Sequence, residues 1–144
     1  MDLLLLAHVG ATLFMVGLIW FVQVVHYPLF GSVGEDRFVG YAEAHSRLTS
    51  LVVGPPMLLE AATTTVLLFV RPAAIPATAA WAGFVLLAAI WVSTALLQVP
   101  RHTALGEGFN AASHRFLLAS NWIRTVCWSA RGLLVLWMVS RVMG

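Results

Sequence analysis

The chain has 144 residues, of which 60% are hydrophobic and only 10% are charged, and its formal net charge is +2. A soluble domain carries about 25% charged residues, so this chain has too few of them to cover a water-facing surface. Its eight basic residues are all arginines and form no basic run, which argues against a nucleic-acid partner. The composition therefore predicts an integral membrane protein whose first partner is the lipid bilayer.

Four apolar stretches are long enough to cross a hydrocarbon core, which needs about 20 residues. They cover residues 3–25, 48–70, 79–99 and 116–139. No Lys or Arg precedes Arg37, so the first stretch lacks the basic start of a signal peptide and is interpreted as a retained span. The sequence thus predicts an all-α membrane protein, with residues 1–144 forming one four-transmembrane-helix bundle.

The connections between the spans are unequal, and the two long ones lie on the same face of the membrane. Ser32-Val33-Gly34-Glu35 fits a capping box, which predicts a helix that begins near Val33 and continues into the second span. Asn110 is a predicted N-cap for a helix that continues through the fourth span. Helices two and four should therefore project beyond the membrane on this face, the long-loop face.

Arginines are more frequent on the long-loop face than on the opposite face. Arg37, Arg47, Arg101 and Arg115 lie on the long-loop face, against Arg71 and Arg141 on the other. The positive-inside rule therefore places the long loops in the cytoplasm, and we expect the protein in the bacterial inner membrane.

Prolines mark the ends of the first three spans. Pro28, Pro72 and Pro100 fall just beyond them, where proline commonly follows a helix end. Gly54-Pro55-Pro56 lies inside the second span and predicts a bend, which is either a simple kink or an opening for a pocket.

Two charged residues lie near the middle of the predicted membrane spans. Glu60 and Arg131 fall at similar depths in helices that run in the same direction, so they can form an ion pair. Such a pair either fixes the register of the helices or forms one wall of a substrate or proton site.

A second group of polar residues lies nearer the long-loop face, at the ends of all four spans. Asn121, Arg124 and Arg131 share one side of helix four, as expected of a lined cavity, although arginine near the headgroups can also reach the interface. Trp91 and Trp128 either pack in the core or line an aromatic pocket. The candidate catalytic residues are His26, His45, Asn121 and Arg124, and the candidate substrate-binding residues are Gln23, Glu60, Trp91, Gln98, Trp128 and Arg131.

The histidines leave a metal or haem site open as an alternative. Glu43-Ala44-His45 lacks the Glu-x-x-His spacing of di-iron bundles. The sequence also contains no His-x-x-x-His element and no cysteine pair. No metal ligand or other cofactor is therefore predicted.

Three short motifs carry a family resemblance. They are His26-Tyr27-Pro28, Leu97-Gln98-Val99-Pro100 and Ser120-Asn121-Trp122-Ile123-Arg124-Thr125. Together with the four spans they resemble the DUF1772 or anthrone-oxygenase-like family of small membrane proteins. The family's elements correspond to Pro28, Pro100, Asn121, Arg124 and Thr125, but Arg101-His102 follows the second proline where fungal members have Leu-Asn. The resemblance implies that some members oxidise polycyclic anthrones to anthraquinones without a metal or an organic cofactor.

Two hypotheses of function follow. In the first, a small hydrophobic substrate enters from the bilayer, Asn121 and Arg124 hold an oxyanion, and His26 or His45 acts as general base before oxygen reacts. In the second, the protein is a non-catalytic subunit, assembly factor or binding protein whose polar residues hold the bundle together. The small residues 61–65 would then allow close contact with a second copy or with a membrane protein partner.

Overall fold

The computed structural model describes residues 2–144, and within them every regular element is a helix. Four of the helices are long and apolar enough to cross a membrane. Helix two comprises Glu35–Phe69 and helix four comprises Ala111–Met143. Helix one (2–32) and helix three (77–106) each consist of helical segments that follow one another directly. The all-α four-helix bundle expected from the sequence is confirmed.

Helices two and four are longer than a bilayer requires. They contain 35 and 33 residues. At 1.5 Å per residue each is about 50 Å long, against a hydrocarbon core of about 30 Å. Residues 35–47 of helix two and residues 111–115 of helix four precede the apolar spans predicted at 48–70 and 116–139, so both helices project on the long-loop face.

The starts of these two helices differ in how they are capped. The side chain of Asn110 accepts a hydrogen bond from the Ser113 amide at 2.8 Å, which confirms the predicted N-cap. The capping box at Ser32 is wrong, because helix two begins at Glu35 with Gly34 as an N-cap that makes no side-chain bond. Ser32 ends the 3-10 turn Phe30–Ser32 of helix one and is not available to cap the next helix.

Helices one and three continue through the prolines that were expected to follow their ends. Helix one comprises Asp2–Phe21, the π turn Val22–His26, Tyr27–Leu29 and the turn Phe30–Ser32, and helix three comprises Ala77–Ser93, the π turn Thr94–Gln98 and Val99–Gly106.

A π turn directly precedes each proline segment. In it the amide of Tyr27 bonds to the Val22 carbonyl, and the amide of Val99 bonds to the Thr94 carbonyl, one residue further back than in an α-helix. This spacing relieves the clash that Pro28 and Pro100 would make with the carbonyl four residues earlier. Only Pro72 follows a helix end as predicted, since helix two ends at Phe69.

A buried ion pair joins the four helices near the middle of the bundle. Arg131 Nε lies 2.8 Å from Glu60 Oε1, and both side chains are almost completely buried, at 1% and 0% exposure. Thr12 of helix one donates to Glu60 Oε1 at 3.0 Å, and the indole of Trp128 donates to Oε2 at 3.0 Å. Arg131 also donates to the carbonyl oxygen of Gly83 in helix three. The predicted pair therefore forms and fixes the four helices relative to one another.

Replacing one member of this pair should destabilise the bundle far more than replacing both. Glu60→Met leaves a buried cation uncompensated and Arg131→Met leaves a buried carboxylate, so each single variant should lose about 3–5 kcal/mol of unfolding free energy. The double variant should recover most of that loss, because two apolar side chains replace two charges that compensated each other. Denaturant unfolding of the purified protein in detergent measures the four forms, and additive losses in the double variant would contradict the coupling.

Candidate functional site

A cavity of about 670 Å³ lies between the ion pair and the long-loop face. Its volume falls within the range of about 300–1,000 Å³ that is typical of small-molecule sites. Helices one and four form its back wall, and helices two and three form its two sides. The back wall includes Met15, Ile19, Val22, Tyr27, Arg124 and Trp128, all of them buried.

Both π turns border this cavity. Val22 of the first turn and Thr94 and Gln98 of the second turn line it, and Tyr27 follows the first turn directly. The chain thus consists of two hairpins, each with one helix that contains a π turn followed by one long α-helix. Single π turns inside α-helices are frequent at functional sites.

The half of the cavity nearer the ion pair is apolar. Met15, Ile19 and Met57 pack with Trp128, whose ring is completely buried from solvent. Because the indole N–H of Trp128 donates to Glu60, this ring separates the cavity from the ion pair. An apolar or aromatic body is the chemistry that these side chains can accommodate.

Arg124 lies at the other, polar half, and none of the carboxylates that the structure describes is paired with it. The side chain is 7% exposed. Its Nε donates to Asn121 Oδ1 at 2.9 Å, and its Nη2 donates to Tyr27 Oη at 3.2 Å. Among the side chains that the structure describes, the ion pairs are Arg37–Asp36 and Glu60–Arg131. The charge of Arg124 is therefore held by neutral acceptors beside a mainly apolar cavity.

Asn121 and Gln23 support this guanidinium from behind. Asn121 Nδ2 donates to Gln23 Oε1 at 2.8 Å, and Gln23 Nε2 donates to the Leu118 carbonyl at 3.2 Å. Both side chains are buried and neither lines the cavity. Their hydrogen bonds fix the orientation of Arg124, so contact with a ligand falls to Arg124 itself.

Two histidines form a hydrogen-bonded pair at the polar half. His26 Nε2 lies 2.8 Å from His45 Nδ1, and Thr49 Oγ1 lies 3.1 Å from the same His45 nitrogen. His45 lines the cavity, whereas His26 lies behind it. No hydrogen bond joins His45 Nε2 to any residue that the structure describes. With its hydrogen on Nδ1, donated to His26, the His45 ring presents a free lone pair on Nε2.

Tyr27 and His102 complete the polar half, and neither was among the catalytic or substrate-binding candidates from the sequence. Tyr27 Oη lies 2.9 Å from His102 Nε2. Since Arg124 has only donors, the phenol oxygen accepts from Arg124, and its hydroxyl donates to His102 in the tautomer in which His102 Nε2 carries no hydrogen. The sequence spacing could have indicated both residues. Tyr27 follows Gln23 by one helical turn and His102 follows Gln98 by one turn, so each shares a helix face with a residue that was a candidate.

The ten candidate residues thus fall into three groups. His45, Trp91, Gln98, Arg124 and Trp128 line the cavity; His26, Gln23 and Asn121 lie directly behind it; Glu60 and Arg131 form the separate ion pair. The amide of Gln98 is engaged by Ser93 at 3.0 Å and by Ser120 at 3.2 Å, so it joins helices three and four while it lines the wall.

Residues 2–144 contain no group of three or more histidine, cysteine or carboxylate side chains placed to hold a metal ion. No family model, curated protein or solved structure matches the chain. The resemblance to the DUF1772 family stays a prediction.

The two buried arginines of helix four should differ in how far their loss destabilises the bundle. Arg124→Met removes a cation that has no carboxylate partner among the described residues but leaves the buried Asn121 Oδ1 without a donor, so it should lower the stability by about 1–3 kcal/mol. Arg131→Met exposes the charge of Glu60 to an apolar interior and should lower the stability by about 3–5 kcal/mol. Denaturant unfolding in one detergent compares the variants, and a larger loss for Arg124→Met would contradict the assignment of Arg124 as a residue without structural pairing.

Proposed function

We propose that this integral membrane protein binds a small apolar molecule with one acidic oxygen, a phenol or an enol, and holds that oxygen against Arg124. The observation that carries the proposal is a buried guanidinium that pairs with no described carboxylate at the polar end of a mainly apolar cavity. An ionisable residue inside a membrane protein is costly and commonly marks a functional site. The guanidinium remains charged and offers a planar set of donors to an oxyanion.

The arrangement of the cavity sets the orientation of the ligand. The acidic oxygen lies near Arg124 and Tyr27, and the apolar body lies against Trp128 and Met57. Aromatic and thioether side chains favour a flat ring system at this place. This orientation supports a cyclic, aromatic or polycyclic ligand.

We propose further that the bound molecule is oxidised by O₂, as the motif resemblance implies for anthrones. His45, oriented by His26, takes a proton from the ring methylene, and the electron pair delocalises onto the oxygen at Arg124. The carbanion then reduces O₂ to a bound hydroperoxide, which loses water. One oxygen atom becomes the new carbonyl and the other leaves as water, while the methylene loses the four electrons that O₂ accepts.

A second candidate is a non-catalytic binding protein or membrane subunit. It is favoured by the complete pairing of the polar groups, since no fully buried side-chain nitrogen or oxygen of the described residues lacks a hydrogen-bond partner. Polar residues that are fully paired can serve the bundle alone. Under either candidate we propose the bacterial inner membrane as the location, and the arginine distribution supports an orientation with the long loops in the cytoplasm.

Binding to Arg124 can be measured with 4-nitrophenol, whose visible absorption appears only when its hydroxyl is ionised. Protein in nanodiscs should bind the ionised form. Arg124→Met should lower the affinity by about 10- to 100-fold, because hydrogen bonds to a charged group contribute about 1.5–3 kcal/mol. Titration of the absorbance measures both forms.

Two pairs of variants test whether 4-nitrophenol binds in the cavity beside Arg124. Arg101 stacks over the Phe116 ring at 4.4 Å and does not line the cavity, so Arg101→Met should bind like the wild type. Gly54 lines the cavity and Gly17 does not, and neither position has an atom within 4 Å of an added Cβ. Gly54→Leu should therefore weaken binding while Gly17→Leu does not. Equal binding by Arg124→Met and the wild type would overturn the proposal.

Catalysis has a separate test. Anthrone oxidation, followed as anthraquinone formation and O₂ uptake, should fall by about 10²- to 10⁴-fold in His45→Gln, because that is the usual contribution of a general base. Binding of 4-nitrophenol should remain. His8→Gln is the matched control, since His8 bonds to Thr63 at 2.9 Å outside the cavity. Wild-type protein that binds the probe but oxidises no anthrone would favour the non-catalytic candidate.

A further inference from the structure

The cavity is closed at its back and open between helices two and three. The lining residues from helices one and four are buried or partly buried, whereas several from helices two and three are exposed on the outside of the bundle. Leu58 is 62% exposed, Val99 is 54% exposed and Trp91 is 39% exposed, although all three line the cavity. We call the gap between these residues the lateral opening.

Small side chains border the lateral opening on helix two. Ser46, Ser50 and Gly54 line the cavity at successive turns of this helix. Nothing lies within 4 Å of a Cβ added to Gly54. From Ser46 to Leu58 the edge is about 18 Å long at 1.5 Å per residue. The helix-two edge of the opening thus presents small side chains at three successive turns, beside which an extended hydrocarbon chain can lie.

The surface around the lateral opening faces hydrocarbon. On helix two, Leu51 is 68% exposed and Val52 is 50% exposed. On helix three, Leu96 is 68% exposed and Val92 is 56% exposed. These side chains belong to apolar spans, so the outer end of the opening meets lipid acyl chains.

We infer that the ligand is a long-chain phenol, whose ring lies in the cavity and whose alkyl or prenyl chain leaves through the lateral opening into the bilayer. The inference rests on the proposed binding of an acidic oxygen at Arg124. The lone guanidinium supplies charge complementarity for the phenolic oxygen. The opening supplies a path for a chain that remains in lipid in both the free and the bound state, so binding need not transfer that chain between media.

The test compares two probes with the same acidic group, 4-nitrophenol and 2-decyl-4-nitrophenol, in phosphatidylcholine nanodiscs. Empty nanodiscs give the partitioning of each probe, and affinities are expressed as mole fractions in the bilayer. The wild type should bind the two probes within about threefold of each other. Arg124→Met should weaken both.

A plug in the lateral opening provides the matched comparison. Ser50 and Ser140 are both exposed, and each hydroxyl donates at 2.7 Å to a carbonyl of its own helix, but only Ser50 lines the cavity. Ser50→Phe should weaken the decyl probe at least about tenfold more than 4-nitrophenol. Ser140→Phe should leave both affinities at the wild-type values.

The possible results separate the inference from the function on which it rests. Arg124-dependent binding of 4-nitrophenol with exclusion of the decyl probe would overturn the long-chain ligand and leave the proposed function intact. Equal effects of Ser50→Phe and Ser140→Phe on the decyl probe would overturn the route through the lateral opening. Absence of Arg124-dependent binding of either probe would overturn both proposals.

Discussion

Inside a lipid bilayer no water is present to satisfy a polar group, so each buried charge in this bundle must be balanced by the protein or by a ligand. Helix four carries two buried arginines, two turns apart, that meet this constraint differently. Arg131 has the carboxylate of Glu60, and their hydrogen bonds extend to helices one and three. Arg124 has only neutral acceptors. Arg131 therefore fixes the bundle, and under the proposed function a bound oxygen balances the charge of Arg124.

The position of the cavity follows from where the bundle is fixed and where its helices are interrupted. The ion pair holds the four helices together near the centre, and Trp128 covers it on the side of the cavity. Toward the long-loop face, the π turns Val22–His26 and Thr94–Gln98 change the register of helices one and three. A π turn adds a residue to a helical turn and so redirects the side chains that follow it. Tyr27, which follows the first turn, thereby contacts Arg124, and His102, which follows the second, contacts Tyr27.

The sequence is informative where a property depends on length or periodicity, and less so where it depends on hydrogen bonds between helices. The four helices, their projection and the Glu60–Arg131 pair follow from apolar length and from depth. The continuity of helix one through Pro28 does not, because a proline normally indicates a helix end and the π turn leaves no compositional signal. Asn121 and Arg124 share a helical face, so periodicity alone cannot show that Arg124 lines the cavity. Nor can it show that Asn121 only orients Arg124 by a hydrogen bond.

The proposed ligand also explains why two hydrogen-bonded pairs, Tyr27–His102 and His26–His45, lie beside Arg124. A phenol must cross the hydrocarbon as the neutral molecule, since an ionised oxygen is costly to desolvate. Its proton is therefore lost only after the oxygen reaches Arg124, and a group at the site must accept it. Tyr27 contacts Arg124 and His102, and the His45 ring stacks on His102 with centroids 5.2 Å apart and bonds to His26. His26 and His102 are both partly exposed, so these pairs connect the oxyanion position with the outside of the bundle near the long-loop face.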